Sequence, residues 1–336
     1  MTLTNKLVVS ASPHDRSHKT VRSLMLDVII ALIPALIASV IYFGPRALLI
    51  ECVSVGTCML SEYLTRRIMK RSNTLGDLSA VITGLLLAFN LPVTIPLWMV
   101  VIGAVVAIVI VKQLFGGIGQ NFVNPALIGR IVLLASFPVA MSTWTQPLTW
   151  TMQNISGTTG ASPLASIHQM AQGSAAAGSV PTLVEMLIGW RAGCLGETCA
   201  VALILGGLYL IIRKVISPII PVTYIGTVAL FMLIAGKGSL TFAAYELLGG
   251  GLLLGAIFMA TDYTTSPITV KGKIIFGIGC GLIASLIRLF GNLPEGVSYS
   301  IIIMNILVPL IESITLPKPF GTLKEKKEKK KEADKA

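Results

Sequence analysis

Charge is what this sequence has least of. Only 12% of its 336 residues are Asp, Glu, Lys or Arg, 54% are hydrophobic, and the mean hydropathy is +0.82. A water-soluble domain carries about 25% charged residues, so this composition excludes one and makes the bilayer the solvent to reason with. Histidine is almost absent. His14, His18 and His168 are the only three, too dispersed for a ligand cluster, which argues against a metal enzyme. The five cysteines, Cys52, Cys58, Cys194, Cys199 and Cys280, include no CxxC pair, so no iron–sulfur pattern is present. Four of them fall in apolar runs, where cysteine packs as a small hydrophobe; a single pairing of Cys194 with Cys199 stays open. Nothing reads as a hydrolase or a nucleotide-binding domain. The first twenty residues are polar, with Lys6, Arg16 and Lys19, so the first apolar segment reads as a retained span rather than a cleaved leader.

What charge there is leans basic, at a net +11. Its position decides its meaning. The cations gather in the N-terminal arm, in Arg66–Arg67 through Lys70–Arg71, at Arg213–Lys214, at Lys271 and Lys273, and from Lys324 to Lys335. These clusters flank apolar segments and lack interleaved aromatics, which fits positive-inside topology and not nucleic-acid binding.

Apolar runs between turn and charge signals predict an all-α polytopic membrane protein of about ten spans, near 24–43, 46–64, 75–91, 95–112, 123–140, 194–212, 216–235, 247–261, 274–290 and 298–315. Both termini are then cytoplasmic. The organisation expected is an N-terminal arm (1–23), a first membrane half (24–140), an outer loop (141–193), a second half (194–315) and a Lys/Glu-rich tail (316–336). That tail is low-complexity charge, read as solvated and disordered, with anionic lipid contact as the functional alternative. The outer loop carries only Glu185 and Arg191 as charges, has Trp144 and Trp150 near its start, and is too long for a mere connector.

Ile110–Val111–Lys112–Gln113–Leu114–Phe115–Gly116–Gly117 is similar to Leu286–Ile287–Arg288–Leu289–Phe290–Gly291–Asn292, and each follows an apolar span preceded by a Pro-containing break. The match predicts an internal duplication. Five spans per repeat would make the halves inverted, meeting at the membrane midplane.

Few residues can carry chemistry. Ser156–Gly157–Thr158–Thr159–Gly160–Ala161–Ser162–Pro163 is a hydroxyl-dense stretch that, read bare, is a flexible turn. Asn121 and Asn124 lie three apart, so on a helix they would share a face; they either cap a helix or bond a neighbour or ligand. Arg130, inside a span, needs an acid such as Asp262. Asp27, Asp77, Glu246 and Asp262 sit near span ends, where capping or interface placement is the ordinary role. Asp262, before a Thr-Thr-Ser-Pro break, and Asp27 are the candidates for a cation path.

Several motifs together carry a resemblance: Met25–Leu26–Asp27 through Pro34–Ala35, Lys112 through Ala126 (KQLFGGIGQNFVNPA), Gly129–Arg130, Ser136–Phe137–Pro138, Met259–Ala260–Thr261–Asp262, Thr265–Ser266–Pro267, Ile287 through Gly291 with Pro294–Glu295–Gly296, and Met304 through Ile311. Over nearly the whole chain these resemble the family of the Rnf D and Nqr B subunits. The resemblance implies a flavin-bearing electron conduit coupled to Na⁺ or H⁺ movement, working within an oxidoreductase complex of the cell inner membrane. It implies riboflavin held non-covalently at Asn121 and Asn124. It also implies FMN joined as a phosphoester to a hydroxyl of the outer loop, since a hydroxyl nucleophile with small neighbours suits the transfer. Position by position the acceptor is Ser162, where the family has Thr, and Ser156 stands where the family has Asp; Thr159 is the fallback acceptor. Partners implied are the A, B, C, E and G subunits of the Rnf complex and, through them, ferredoxin and NAD. The other readings are the B subunit of a Na⁺-translocating NADH:quinone reductase and a non-redox secondary transporter on the same scaffold.

Overall fold

The computed structural model describes residues 19–148, 159–160, 181–291 and 296–317. Ser162, Ser156 and the three histidines lie outside them, as do the N-terminal arm before Lys19 and the charged tail.

The first half comprises α1 (Val21–Phe43), α2 (Pro45–Ile68), α3 (Ser79–Phe89), α4 (Leu97–Gln113) and α5 (Pro125–Ser136), with the short α6 (Pro138–Met141) after it. Next come β1 (Trp144–Thr145) and β2 (Thr159–Gly160), paired antiparallel, and α7 (Leu183–Ile188). The second half is α8 (Ala200–Ile212), α9 (Ile219–Ala235), α10 (Leu240–Leu248), α11 (Leu252–Met259), α12 (Val270–Phe290) and α13 (Val297–Thr315). Each of the ten expected apolar segments contains helix, and the chain is an all-α polytopic membrane protein.

α1, α2, α12 and α13 are long and apolar enough to cross a bilayer. Their packing is turned inside out relative to a soluble bundle. On α1, Leu26, Ile30, Ile33, Ile37 and Ile41 are exposed, while Asp27, Ala31, Ala35 and Ser39 are buried. On α2, Glu51, Ser54, Cys58, Ser61 and Glu62 face inward and Leu48, Leu60 and Leu64 face out. Lipid is as apolar as leucine, so helices associate through small and polar residues that let backbones approach. The α2–α3 crossing shows the consequence: a methyl on Gly84 would fall 2.7 Å from Val55 Cα.

The remaining crossings are short or broken. α3 has 11 residues, about 16 Å of helix against a hydrocarbon layer of ~30 Å. The expected span 247–261 is in fact α10 and α11 bent by 66° at Gly249–Gly251, because three consecutive glycines supply no side-chain packing to keep the helix continuous. The expected helix start at 194 is also corrected. Residues 189–199 are non-helical and, apart from the exposed Trp190, largely buried, and α8 begins only at Ala200. This segment pairs with the chain break after α3: Leu195 and Gly196 amides donate to the Leu91 and Phe89 carbonyls at 3.1 and 3.0 Å. The Arg191 guanidinium reaches the Leu248 and Glu197 carbonyls. Backbone left unpaired by two broken helices is thus satisfied by a third irregular segment, the condition for non-helical chain at membrane depth.

Contacts sort the molecule into two ends. Lys19 with the Arg213 carbonyl, Tyr263 with the Val215 carbonyl, and Thr269 with Thr315 mark one end. Tyr42 with the Ile188 carbonyl, the Leu148 amide with the Tyr42 carbonyl, and Thr94 with the Thr143 carbonyl mark the other. Lys112 shares a cavity with Asp262, Tyr263 and Thr264 at the first end. Its repeat counterpart Arg288 lies near the far end of α12, about 27 Å along from Val270 at helical rise. The two related cations therefore sit at opposite ends, as an inverted duplication requires.

Candidate functional site

A cavity of about 270 Å³ opens between the halves at the end where α1 begins. Its walls are apolar, from Leu24, Met25 and Val28 of α1, Ile82 and Leu86 of α3, and Phe258 of α11. Its polar lining includes Ser79, Thr83, Lys112, Asn121, Asn124, Asp262 and Thr264. Long π-wound stretches flank it on both sides: Val106–Gln113 delivers Lys112, and Gly255–Met259 delivers Phe258. Such windings recur at functional sites because they re-aim side chains.

Asn124 is the N-cap of α5. Its side-chain oxygen accepts from the Ala126 and Leu127 amides at 3.1 and 3.4 Å, ahead of Pro125 at the first helical position. Its Nδ2 donates to the Met259 carbonyl at 3.3 Å, tying the first half to the second. Asn121 lies before the helix, so the two amides do not share a helical face as their spacing suggests. The Gly-rich loop, with Gly116, Gly117 and Gly119 at positive φ, curls instead so that both line one cavity. Asn121 donates to the Val123 carbonyl at 3.2 Å and also bonds the Asp262 carboxylate.

Asp262 occupies the turn after α11. It accepts from the Thr264 amide and hydroxyl at 3.4 and 3.2 Å and from the Thr265 hydroxyl at 3.5 Å. Burial pushes its carboxyl above the usual aspartate value, and these hydrogen bonds, with that of Asn121, pull it back. Asp27 is elsewhere: it bonds the Tyr209 hydroxyl at 3.0 Å and Arg213 at 3.3 Å, outside the cavity lining.

Arg130 corrects an expectation. It donates to Asn90 Oδ1 at 3.1 Å and Ser298 Oγ at 2.8 Å, bridging α5 to α13, and not to Asp262. Asp77 does cap, accepting from the Ser79 amide and hydroxyl. Glu246 does not sit at an interface; it is fully buried and pairs with Arg288 at 3.2 Å. The cysteines are all free, so Cys194 and Cys199 form no disulfide. Trp144 is buried against Ala192 and Cys194. Thr159 is described only through its backbone, which pairs with Thr145.

Sequence reading missed the network beside the cavity. Lys112 Nζ donates to Glu62 Oε2 at 2.8 Å and Ser79 Oγ at 2.6 Å; Thr74 closes on Glu62 Oε1 at 2.7 Å. The signal was available: the repeat aligns Lys112 with Arg288, and a cation at the end of an apolar span in both halves needs a buried acid in both.

A family model described as NQR2, RnfD, RnfE matches residues 8–321. The chain belongs to this family. Among its relatives, a protein of Acetobacterium woodii named as the D subunit of a Na⁺-translocating ferredoxin:NAD⁺ oxidoreductase complex is 47% identical over 327 residues, covering 96% of this chain and 98% of the relative. One of Clostridium ljungdahlii, named as the D subunit of a proton-translocating ferredoxin:NAD⁺ oxidoreductase complex, is 41% identical, covering 95% and 97%. One of Actinobacillus succinogenes, named as the D subunit of an ion-translocating oxidoreductase complex, is 34% identical, covering 93% and 97%.

Proposed function

We propose that this chain is the flavin-carrying D subunit of an Rnf-type ion-translocating ferredoxin:NAD⁺ oxidoreductase of the cell inner membrane, relaying electrons across the bilayer in step with Na⁺ or H⁺ movement. The observation that carries the reading is the cavity in which Asn121 and Asn124, from one half, face Asp262 and Phe258 from the other. Its donor set fits riboflavin: apolar side chains can flank a flat ring, and amides suit an edge that both donates and accepts. A flavin supplies reversible transfer of one or two electrons. The chain's own residues hold it and exclude water, Asn121 and Asn124 by their amides and Leu24, Met25, Val28 and Phe258 by packing.

The second flavin in this reading is FMN on Ser162, with Thr159 as the fallback acceptor, on the outer side. Asp262, partly buried beside the amides, is the cation-path candidate; Asp27, already paired with Arg213, is the weaker one. Both termini are cytoplasmic in this reading, by the distribution of Lys and Arg. The names of the relatives at 47% and 41% identity favour an Rnf complex over a quinone reductase. The A, B, C, E and G subunits then hold the ferredoxin and NAD chemistry, for which this chain has no motif.

In-gel flavin fluorescence of the denatured chain tests the attachment. It should persist in the wild type and be lost in Ser162→Ala, or in Thr159→Ala if the fallback holds. Fluorescence in both variants would refute both sites.

A further inference from the structure

We infer that Glu51, which faces Ser39 across the α1–α2 contact near the turn joining the two helices, is a carboxylic acid that carries a bound proton at membrane depth. A count of hydrogens leads there. Ser39 Oγ lies 2.7 Å from the Leu36 carbonyl oxygen and 2.5 Å from Glu51 Oε1. A hydroxyl has one hydrogen. The carbonyl can only accept, so at 2.7 Å the serine hydrogen belongs to it; two facing acceptors would repel. The 2.5 Å contact then needs its hydrogen from the other side, and that makes Glu51 the donor to Ser39. Short O–H···O geometry of this kind suits a carboxylic acid.

The surroundings lead to the same assignment. Glu51 is 2% exposed and Ser39 0%, and Glu51 Oε2 has no hydrogen-bond partner among the described residues. Nor does any cation among them face it. On α2 itself, Arg46 is held by the Val93, Thr94 and Ile95 carbonyls, and Glu62 is about 16 Å away along the helix. α3 carries no ionisable side chain, and α4 carries none before Lys112, which is paired with Glu62. On α1, Asp27 lies about 18 Å along from Ser39 and is held by Arg213. Asp77, in the turn before α3, belongs to the Lys112 end. A carboxylate without counter-charge or full hydrogen bonding at this depth is heavily penalised, whereas the neutral acid is not.

Glu51 also heads a line of buried polar side chains on one face of α2, continuing through Ser54 and Ser61 to Glu62 beside the cavity. It is thus a proton-holding site in the other half of the membrane from the redox cavity, and its protonation stands independently of whether that cavity takes a flavin.

Two measurements on the full chain in native membranes test this. Infrared spectra in H₂O and D₂O should contain a protonated-carboxyl C=O band that shifts on deuteration, is lost in Glu51→Gln, and moves to higher frequency in Ser39→Ala, where the acid loses its acceptor. Dicyclohexylcarbodiimide, which adds to protonated carboxyls in apolar surroundings, should modify Glu51 by peptide mass spectrometry and spare the ion-paired Glu62 and Glu246. An acid band of equal intensity in wild type and Glu51→Gln, or an adduct on Glu62 or Glu246 with none on Glu51, would overturn the assignment.

Discussion

Asn124 and Met259 are 135 residues apart in the chain, yet the Asn124 amide nitrogen donates to the Met259 carbonyl at 3.3 Å. That bond joins the N-terminus of α5 to the end of α11, where the two membrane halves meet around the cavity. It gives Asn124 two tasks, capping its own helix and tying the backbones of the two halves together, while Asn121 caps no helix and reaches the other half only through the Asp262 side chain.

The two asparagines should therefore respond differently to alanine. Asn124→Ala loses the cap, worth about 1 kcal/mol, together with the bond to Met259, and should lower both thermal stability and the riboflavin that co-purifies. Asn121→Ala should lower the riboflavin and reduce the melting temperature less than Asn124→Ala does, since it removes no helix cap. Thermal unfolding in detergent, paired with extraction and quantification of flavin, checks both.

Glu62 and Lys112 form a buried ion pair, of which Lys112 lines the cavity. Removing one partner of such a pair typically costs about 3–5 kcal/mol, while replacing both is far milder. Glu62→Gln alone should destabilise strongly, and Glu62→Gln with Lys112→Met should recover most of the loss, as read from thermal unfolding. A double variant as unstable as the single would mean that the pair does not act as a unit.

Gly84 and Gly56 offer a test of the helix crossing. A Cβ at Gly84 would press on the α2 backbone, whereas one at Gly56 meets nothing within 4 Å. Gly84→Ala should destabilise by about 1–3 kcal/mol. Gly56→Ala should be neutral or stabilise by up to about 1 kcal/mol, from helix propensity alone.

The fold class was largely legible because bilayer-spanning runs announce themselves by length. The bend at Gly249–Gly251 and the buried segment 189–199 were not. The Gly249–Gly251 stretch and residues 194–199 pass for parts of apolar spans, and only tertiary hydrogen bonds reveal that their backbones are satisfied elsewhere. The site was half legible. Motif spacing singled out Asn121, Asn124 and Asp262, which do converge, but it did not show that Arg130 bonds Asn90 and Ser298 across helices far apart in sequence.

Asp262 carries a pH signature. Its carboxyl is raised in the folded protein by burial, so relative to the unfolded chain the native state binds the proton more tightly, and stability falls as pH rises from about 3.9, the ordinary aspartate value. Asp262→Asn should remove that dependence. The variant should match wild type in melting temperature near pH 4 and exceed it at neutral pH; an unchanged difference across that range would contradict the burial argument.

That two flavins reside on this one polypeptide is tested most directly by counting them. The native assembly is purified, this chain is denatured, and flavin is quantified separately in the filtrate and on the polypeptide. The expected result is one riboflavin released per chain, reduced in Asn121→Ala, and one FMN retained. A chain that yields neither would contradict the electron-relay proposal.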